Sequence, residues 1–419
     1  MRGLECLAMD ASATSARLDA ALRAVGPGEI TESVVERHVA PLFSRHKLAY
    51  GERIYLANHS LGRPLDATED DVREGLALWY AELGAAWEAW SGEIAAFRAR
   101  LARLLDAPRD DCVVPKSSAG QGLRAVLNAH DRVPRVVATR GEFDSLDVIL
   151  REYAQRGRID LAMVEPRADG RFDTADIVAA IGARTDLTVI SEVMFGTGQR
   201  VSDLPDIVAA THRAGGKALV DVYHSLGVFP LDIAALDADF AVGGSYKYLR
   251  GGTGACFLYV HPRHLDGSLR TLDTGWFAKA APFTYERPDP PQYAPGGDGW
   301  MESTPPMLPF YQARAGQLFA LGIGVARLRS YSLACQRRLV AMLGAEGVRA
   351  QGGTEDRGAF VVVTHPRAVA LADALRGEGV VADARGPHLR LCPDILSTDA
   401  ELERATALLA PLVHADRAA

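Results

Sequence analysis

Apolar residues follow two patterns along this chain of 419 residues. Between about 110 and 262, short apolar runs alternate with longer stretches in which apolar residues recur every three or four positions. The runs are Val136-Val137-Ala138, Leu161–Val164, Leu187–Val193, Ala218–Val222, Phe240-Ala241-Val242 and Cys256–Val260. Runs that short and that uniformly apolar suit strands covered on both faces. The stretches between them, at 145–157, 174–183 and 204–214, carry helical spacing. The alternation predicts an α/β fold, with a mostly parallel sheet sandwiched by helices.

The flanks read differently. Residues 1–50 predict a helical arm broken at Pro27-Gly28. Ile54-Tyr55-Leu56 is β-prone and runs into a turn at Gly62-Arg63-Pro64. Residues 68–105, rich in Ala, Leu, Glu and Arg, predict helix. Residues 270–310 are dense in Gly, Pro and aromatics and predict a long functional loop. Helix returns at 311–345. A smaller α/β unit follows, with a strand at 359–364, a helix at 367–377, strands near 380 and 389, and a helix at 398–410. The expected organisation is an N-terminal segment (1–64) packing on a small C-terminal α/β domain (311–419), with a large domain between them (65–310).

Composition narrows the class. With 48% hydrophobic and 24% charged residues, the chain can fill a large core, which excludes disordered and disulfide-stapled classes. A net charge of −7 argues against a nucleic-acid partner. No run reaches the ~20 apolar residues of a membrane helix. No basic-then-apolar leader stands at the N-terminus, so a cytoplasmic protein without a membrane partner is expected. The five cysteines are scattered and form no metal-type pair, so reduced thiols and no metal are expected. Only five of the 46 basic residues are lysine: Lys47, Lys116, Lys217, Lys247 and Lys279. Amine chemistry therefore has few places to reside.

In doubly wound sheets, ligands bind beyond the carboxyl ends of the strands. Asp221 ends one apolar run, with His224 three residues on; taken alone, it could be a plain strand-end carboxylate. Lys247 stands after another run, behind Gly243-Gly244 and between Tyr246 and Tyr248. A lysine that forms a Schiff base needs such a sheltered place, which lowers its pKa. Together the two suit pyridoxal 5'-phosphate: the amine anchors the cofactor, and the acid keeps its ring nitrogen protonated. Ser117 and Ser118, before a helix, could hold an anion, although N-capping by Ser118 is the plainer role. Phe143, after the 136–139 strand, could stack on a planar cofactor or simply fill the core.

These residues resemble the kynureninases, within the class V aminotransferase group of fold-type I pyridoxal-phosphate enzymes. The resemblance runs from about Ile54 to Pro393. It rests on Ser60-Leu61-Gly62, Asp221 with His224-Ser225, Tyr246-Lys247-Tyr248 before Gly251-Gly252, Gly275-Trp276-Phe277, Ser303-Thr304-Pro305-Pro306 and Leu389-Arg390. It implies that Lys247 carries the cofactor and Asp221 faces the ring nitrogen. Phe143 would stack on the ring; Ser117, Ser118 and Tyr246 would hold the phosphate, and Tyr246 and His224 would move protons. Arg390 would clamp the carboxylate of an amino-acid substrate, with Ser60, His59 and Ser303 beside it. Trp276 and Thr304 would come from the neighbouring subunit of a homodimer with shared sites.

Departures from the family pattern gather on the substrate side. His59 replaces an Asn. Phe143-Asp144-Ser145-Leu146 replaces Phe-Pro-Thr-Asp, so a second cofactor-side acid is lost or shifted to Asp147. Lys279 stands where the family has His. The reading is hydrolytic Cβ–Cγ cleavage releasing alanine. Its rivals are β-elimination or C–S cleavage, transamination, and a binding protein that reuses the fold. An exposed Cys335 or Cys392 would favour desulfurase chemistry.

Overall fold

The computed structural model describes residues 16–201 and 203–415. The first part of the expected arm, and Cys6 with it, lies outside the described residues. β1 (Ile54–Tyr55) stands apart from the main sheet. That sheet holds β2 (Val113–Lys116), β3 (Arg135–Thr139), β4 (Asp160–Val164), β5 (Leu187–Ser191), β6 (Lys217–Asp221), β7 (Phe240–Gly244) and β8 (Cys256–Val260). Their order is β2-β8-β7-β6-β5-β3-β4. Neighbours run parallel except at β8, which is antiparallel to both β7 and β2. β5, β7 and β8 are buried at every position, which is why they read as mostly apolar runs, with Thr188 and Ser191 the polar members of β5. The fold is the expected α/β architecture, with one strand more than expected. β2 contains Pro115 and Lys116, which hide it in the apolar pattern; an edge strand tolerates a proline.

Two helical stretches divide. Residues 68–105 form Ala67–Glu82 and Ala86–Leu105, with Leu83 at positive φ between them. Residues 311–345 form Leu308–Ile323 and Val325–Ala345, bent by 85° at Gly324. Among the described residues, no single helix is long and apolar enough to cross a membrane.

The C-terminal part adds β9 (Val361–Thr364), β10 (Val380–Val381), β11 (Asp383–Arg385) and β12 (His388–Leu391). β11, β12 and β9 form an antiparallel sheet, and its register sets Asp383 opposite Arg390. β1 pairs in parallel with β10, Ile54 opposite Val380. That ladder is two residues long, and each backbone hydrogen bond contributes a net ~1 kcal/mol. Ile54 and Leu56 are also buried, in a core with Leu339, Leu375, Leu391 and Leu402. Each such side chain contributes about 1.5–3 kcal/mol, so packing holds the N-terminal segment more than its ladder does. The last helix, Asp399–His414, starts on a capping box between Thr398 and Glu401.

Candidate active site

The carboxyl ends of β6 and β7 bring the expected acid and amine together. β6 ends on Asp221; β7 ends on Gly244, three residues before Lys247. Two glycines are dictated by close approach. A Cβ at Gly244 would lie 2.1 Å from the Tyr223 hydroxyl, and one at Gly62 would lie 2.0 Å from the Lys247 carbonyl oxygen. Lys247 is buried, and its Nζ stands 2.7 Å from His224 Nε2. His224 Nδ1 meets the Tyr248 hydroxyl at 3.1 Å. The amine also faces three rings, at 5.2 Å from the centres of Phe143 and Tyr223 and 5.7 Å from that of Tyr246.

Burial sets the proton affinities here. It lowers the Lys247 amine to about 7, against the opposing pull of Asp221. It raises Asp221 to about 6, although the Tyr223 N–H donates to that carboxylate at 2.8 Å and the Lys247 charge favours its ionised form. His224 is held well below its usual value, first by burial and then by Lys247, so it is neutral.

A cavity of about 530 Å³ opens beside the amine, lined by Ser117, Ser118, Phe143, Tyr223, Tyr246 and Thr253 among others. Ser118 caps the helix Ala119–Leu127 by accepting from the Gln121 N–H. The plainer role foreseen for it is therefore present, at a helix N-terminus that also lines the cavity. The Ser117 hydroxyl donates to Gln121 Oε1. The donor set fits pyridoxal phosphate: an amine partly neutral at pH 7, a buried carboxylate, a flat apolar ring, and hydroxyls at a helix N-terminus for a phosphate.

On the substrate side the hairpin register pairs Arg390 with an acid that sequence reasoning missed. Arg390 donates through Nε and Nη2 to the two oxygens of Asp383, at 2.8 and 2.6 Å, and through Nη1 to the Phe195 carbonyl. Burial works to raise Asp383, but His59 and Arg390 outweigh it and hold the carboxyl well below its usual range. His59 is buried against Phe360, with Nε2 at 2.8 Å from Asp383 Oδ1; burial lowers it to about 4, so it is neutral. Asp383 and Arg390 face each other across the Gly386-Pro387 turn, a hairpin signal that would have revealed the pair. Ser60 and Ser303 are exposed.

Other expected residues lie on the 270–310 loop. Trp276 Nε1 donates to Thr304 Oγ1 at 3.0 Å, and Trp276 lines a separate cavity of about 570 Å³ with Lys279, Tyr285 and Tyr293. Lys279 donates to the Glu286 carbonyl. Lys116 is ion-paired with Glu302 at 2.6 Å. Asp147, to which a second acid could have shifted, pairs with Arg151 on the same helix, and Leu146 is fully buried. The buried acid of that segment is Glu142, 2% exposed. Cys112, Cys256, Cys335 and Cys392 are all buried. Burial pushes the Cys335 thiol up to about 11 and that of Cys392 higher still.

The chain is similar to known proteins along most of its length. The kynureninase of Deinococcus radiodurans is 31% identical over 363 residues, covering 81% of this chain and 84% of that protein. The kynureninase of Salinispora tropica is 30% identical over 394 residues, covering 87% and 91%. A solved cystine C–S lyase, in complex with its product cysteine persulfide, superposes with a TM-score of 0.77 at 20% identity, over 87% of this chain and 98% of that one. A cysteine desulfurase from Thermococcus onnurineus follows at 0.73 and 17%, over 87% and 95%. At those identities the two structures bear on the fold alone. Residues 69–370 match the family model described as aminotransferase class-V, and the chain belongs to that family.

Proposed function

We propose that this chain, a pyridoxal-phosphate-dependent enzyme of amino-acid chemistry, hydrolyses the Cβ–Cγ bond of an amino acid bearing a γ-carbonyl and releases alanine. The observation that carries this reading is the likeness to kynureninases along more than four-fifths of the chain. The bound cofactor supplies an electron-withdrawing ring that makes Cα–H acidic. The residues of the chain do the rest. Lys247, with its amine near neutrality, can take a proton at pH 7. The line from Lys247 through His224 to Tyr248 can pass that proton inward. Asp221 keeps the ring nitrogen charged. Arg390 spends three of its five N–H groups on Asp383 and Phe195, leaving two, one on each Nη, that can donate to the substrate carboxylate. In the overall balance, water places its oxygen on the acyl carbon and a hydrogen on Cβ.

A desulfurase-type reaction needs an accessible thiol of depressed pKa. The buried thiols of Cys335 and Cys392 weigh against it. The homodimer is proposed on the same footing. Trp276, Phe283 and Tyr285 cluster on a loop where Phe283 and Tyr285 are exposed, and a second copy of the chain would cover such a surface.

The purified protein, reduced with borohydride, should lose its visible absorbance and carry the label on the peptide containing Lys247. In a separate, unreduced sample, kynurenine or 3-hydroxykynurenine should yield alanine and an aromatic acid. Turnover of cysteine conjugates, or release of a keto acid, without the aromatic acid would overturn the hydrolytic reading. A monomer in light scattering at working concentration would overturn the dimer.

A further inference from the structure

Arg390 is held by Asp383, and Asp383 has one further holder. Its Oδ1 receives two donors, Arg390 Nε and His59 Nε2, both at 2.8 Å, while its Oδ2 receives Arg390 Nη2 at 2.6 Å. A carboxylate bonded through both oxygens to one guanidinium edge is ionised and only accepts. His59 Nε2 is therefore the donor, whether the ring is neutral or charged. Nδ1 is buried and has no hydrogen-bond partner among the described residues. The polar contact of this ring is thus with the acid behind Arg390.

Little else fixes that carboxylate. Asp383 begins β11, the three-residue outer strand of its sheet. Arg385, on the same strand, is exposed and stands 3.8 Å from Oδ2. His59, by contrast, is anchored. It is 1% exposed, with its ring centre 5.0 Å from that of Phe360. The chain is pinned on both sides of it. Asn58 Nδ2 donates to the Cys392 carbonyl at 3.0 Å, and the Gly62 N–H donates to the Tyr246 carbonyl at 2.8 Å. The turn that carries His59 thereby ties the end of the Arg390 strand to the loop of Lys247. Phe360 joins the same parts from within. Its ring lies 5.6 Å from the Arg390 guanidinium and 5.8 Å from the ring of His224, whose Nε2 is 2.7 Å from the Lys247 amine.

We propose that His59 is a positioning residue: through Asp383 it fixes the plane of the Arg390 guanidinium, and with it the direction from which Arg390 meets a substrate carboxylate. The proposal rests on the reading of Arg390 as the carboxylate clamp of a pyridoxal-phosphate site. A guanidinium is flat, and three of the five N–H directions of Arg390 are occupied by Asp383 and Phe195. Where the other two point follows the plane of the Asp383 carboxylate. Sharing Oδ1 with His59 restrains that plane from turning. A partner behind a binding group orients it in this way and changes affinity without touching the ligand.

Two ligands separate positioning from packing. L-alanine is the amino acid released in the proposed reaction; L-alaninamide keeps its amine and lacks the carboxylate charge. Their binding to the holoenzyme is read from the change in cofactor absorbance, and wild type should prefer alanine. His59→Ala should weaken alanine about tenfold, the scale of one hydrogen bond to a charged group, and alaninamide by no more than about twofold. His59→Gln, which returns an N–H donor, should recover alanine binding to within about threefold of wild type. In an Asp383→Ala background, His59→Ala should add no more than about twofold, since the two act as one unit. An equal loss for both ligands, no rescue by glutamine, or an undiminished effect in the Asp383→Ala background would each overturn the proposal. Should His59→Ala fail to fold, His59→Leu fills the space against Phe360 without the donor, and the same outcomes decide. Failure of the underlying reading shows in wild type instead: borohydride leaves Lys247 unlabelled, or alanine and alaninamide bind alike, and either result takes the proposal with it.

Discussion

Asp394 joins three segments around the lysine, and replacing it with asparagine tests how much they depend on one charge. Its Oδ1 accepts from Arg63 Nη2 at 2.5 Å and from the Leu396 N–H at 2.7 Å; its Oδ2 accepts from Arg250 Nη1 at 2.9 Å. Arg63 follows the turn at Gly62, whose N–H donates to the Tyr246 carbonyl at 2.8 Å. Arg250 stands three residues after Lys247 at positive φ. All three charged groups are buried. The Asp394→Asn substitution would leave two guanidiniums without their counter-charge. Two charge-assisted hydrogen bonds contribute about 1.5–3 kcal/mol each, and removing one partner of a buried ion pair costs about 3–5 kcal/mol, so a loss near 4 kcal/mol is expected. Urea unfolding of the cofactor-free protein, followed by circular dichroism, measures it. The triple variant Arg63→Met, Asp394→Leu, Arg250→Met should recover most of the loss, since apolar groups of similar volume replace a buried cluster at little cost. The sign with pH follows from the same charges. Burial works to raise Asp394, but Arg63 and Arg250 outweigh it and hold the carboxyl below its usual value. Its contribution is therefore full above the unfolded carboxyl value of about 3.9 and lost as pH falls through the folded one. A change under about 0.5 kcal/mol in Asp394→Asn, the level of ordinary surface substitutions, would refute the reasoning.

Three further outcomes are expected. The rate at which cofactor-free protein captures pyridoxal phosphate should rise with pH through about 7, following the neutral Lys247 amine; Asp221→Asn, which removes a charge that raises that amine, should move the midpoint down, and a midpoint near that of a free lysine would contradict the assignment. Gly62→Ala would press a methyl to 2.0 Å from the Lys247 carbonyl oxygen; a stability loss of about 1–3 kcal/mol and a reduced cofactor content are expected in calorimetry and absorbance, and an unchanged melting temperature would show that the turn yields. Cys335→Ala and Cys392→Ala should keep alanine release within about threefold of wild type, because thiolate chemistry needs access and depressed pKa values; loss of turnover with intact cofactor binding would bring thiol chemistry back.

Strands buried on both faces were legible because apolar residues dominate them, and their ends led directly to Asp221 and Lys247. What escaped was non-local. β2 hid behind Pro115 and Lys116, which only an edge position permits. The bend at Gly324 needed a positive φ that sequence periodicity does not register. Asp383 is the local exception: it lies in one hairpin with Arg390, and the Gly386-Pro387 turn was the signal that could have paired them. Glu142 was overshadowed by its neighbour Phe143, since a lone acid after a strand shows no partner until β5 supplies Ser191.

The pairing of β1 with β10 also imposes an order in time. Asn58, just after β1, bonds the carbonyl of Cys392, 334 residues further on. At about 5–20 residues per second, a ribosome needs roughly 17–67 s to deliver that partner. Throughout this interval Ile54 and Leu56 have left the ribosome without the core they belong to. The lysine is made well before the arginine, so a nascent chain can complete the sheet that positions Lys247 while the wall bearing Arg390 does not yet exist. The N-terminal segment, synthesised before the wall it pairs with, is thereby among the last to find its place.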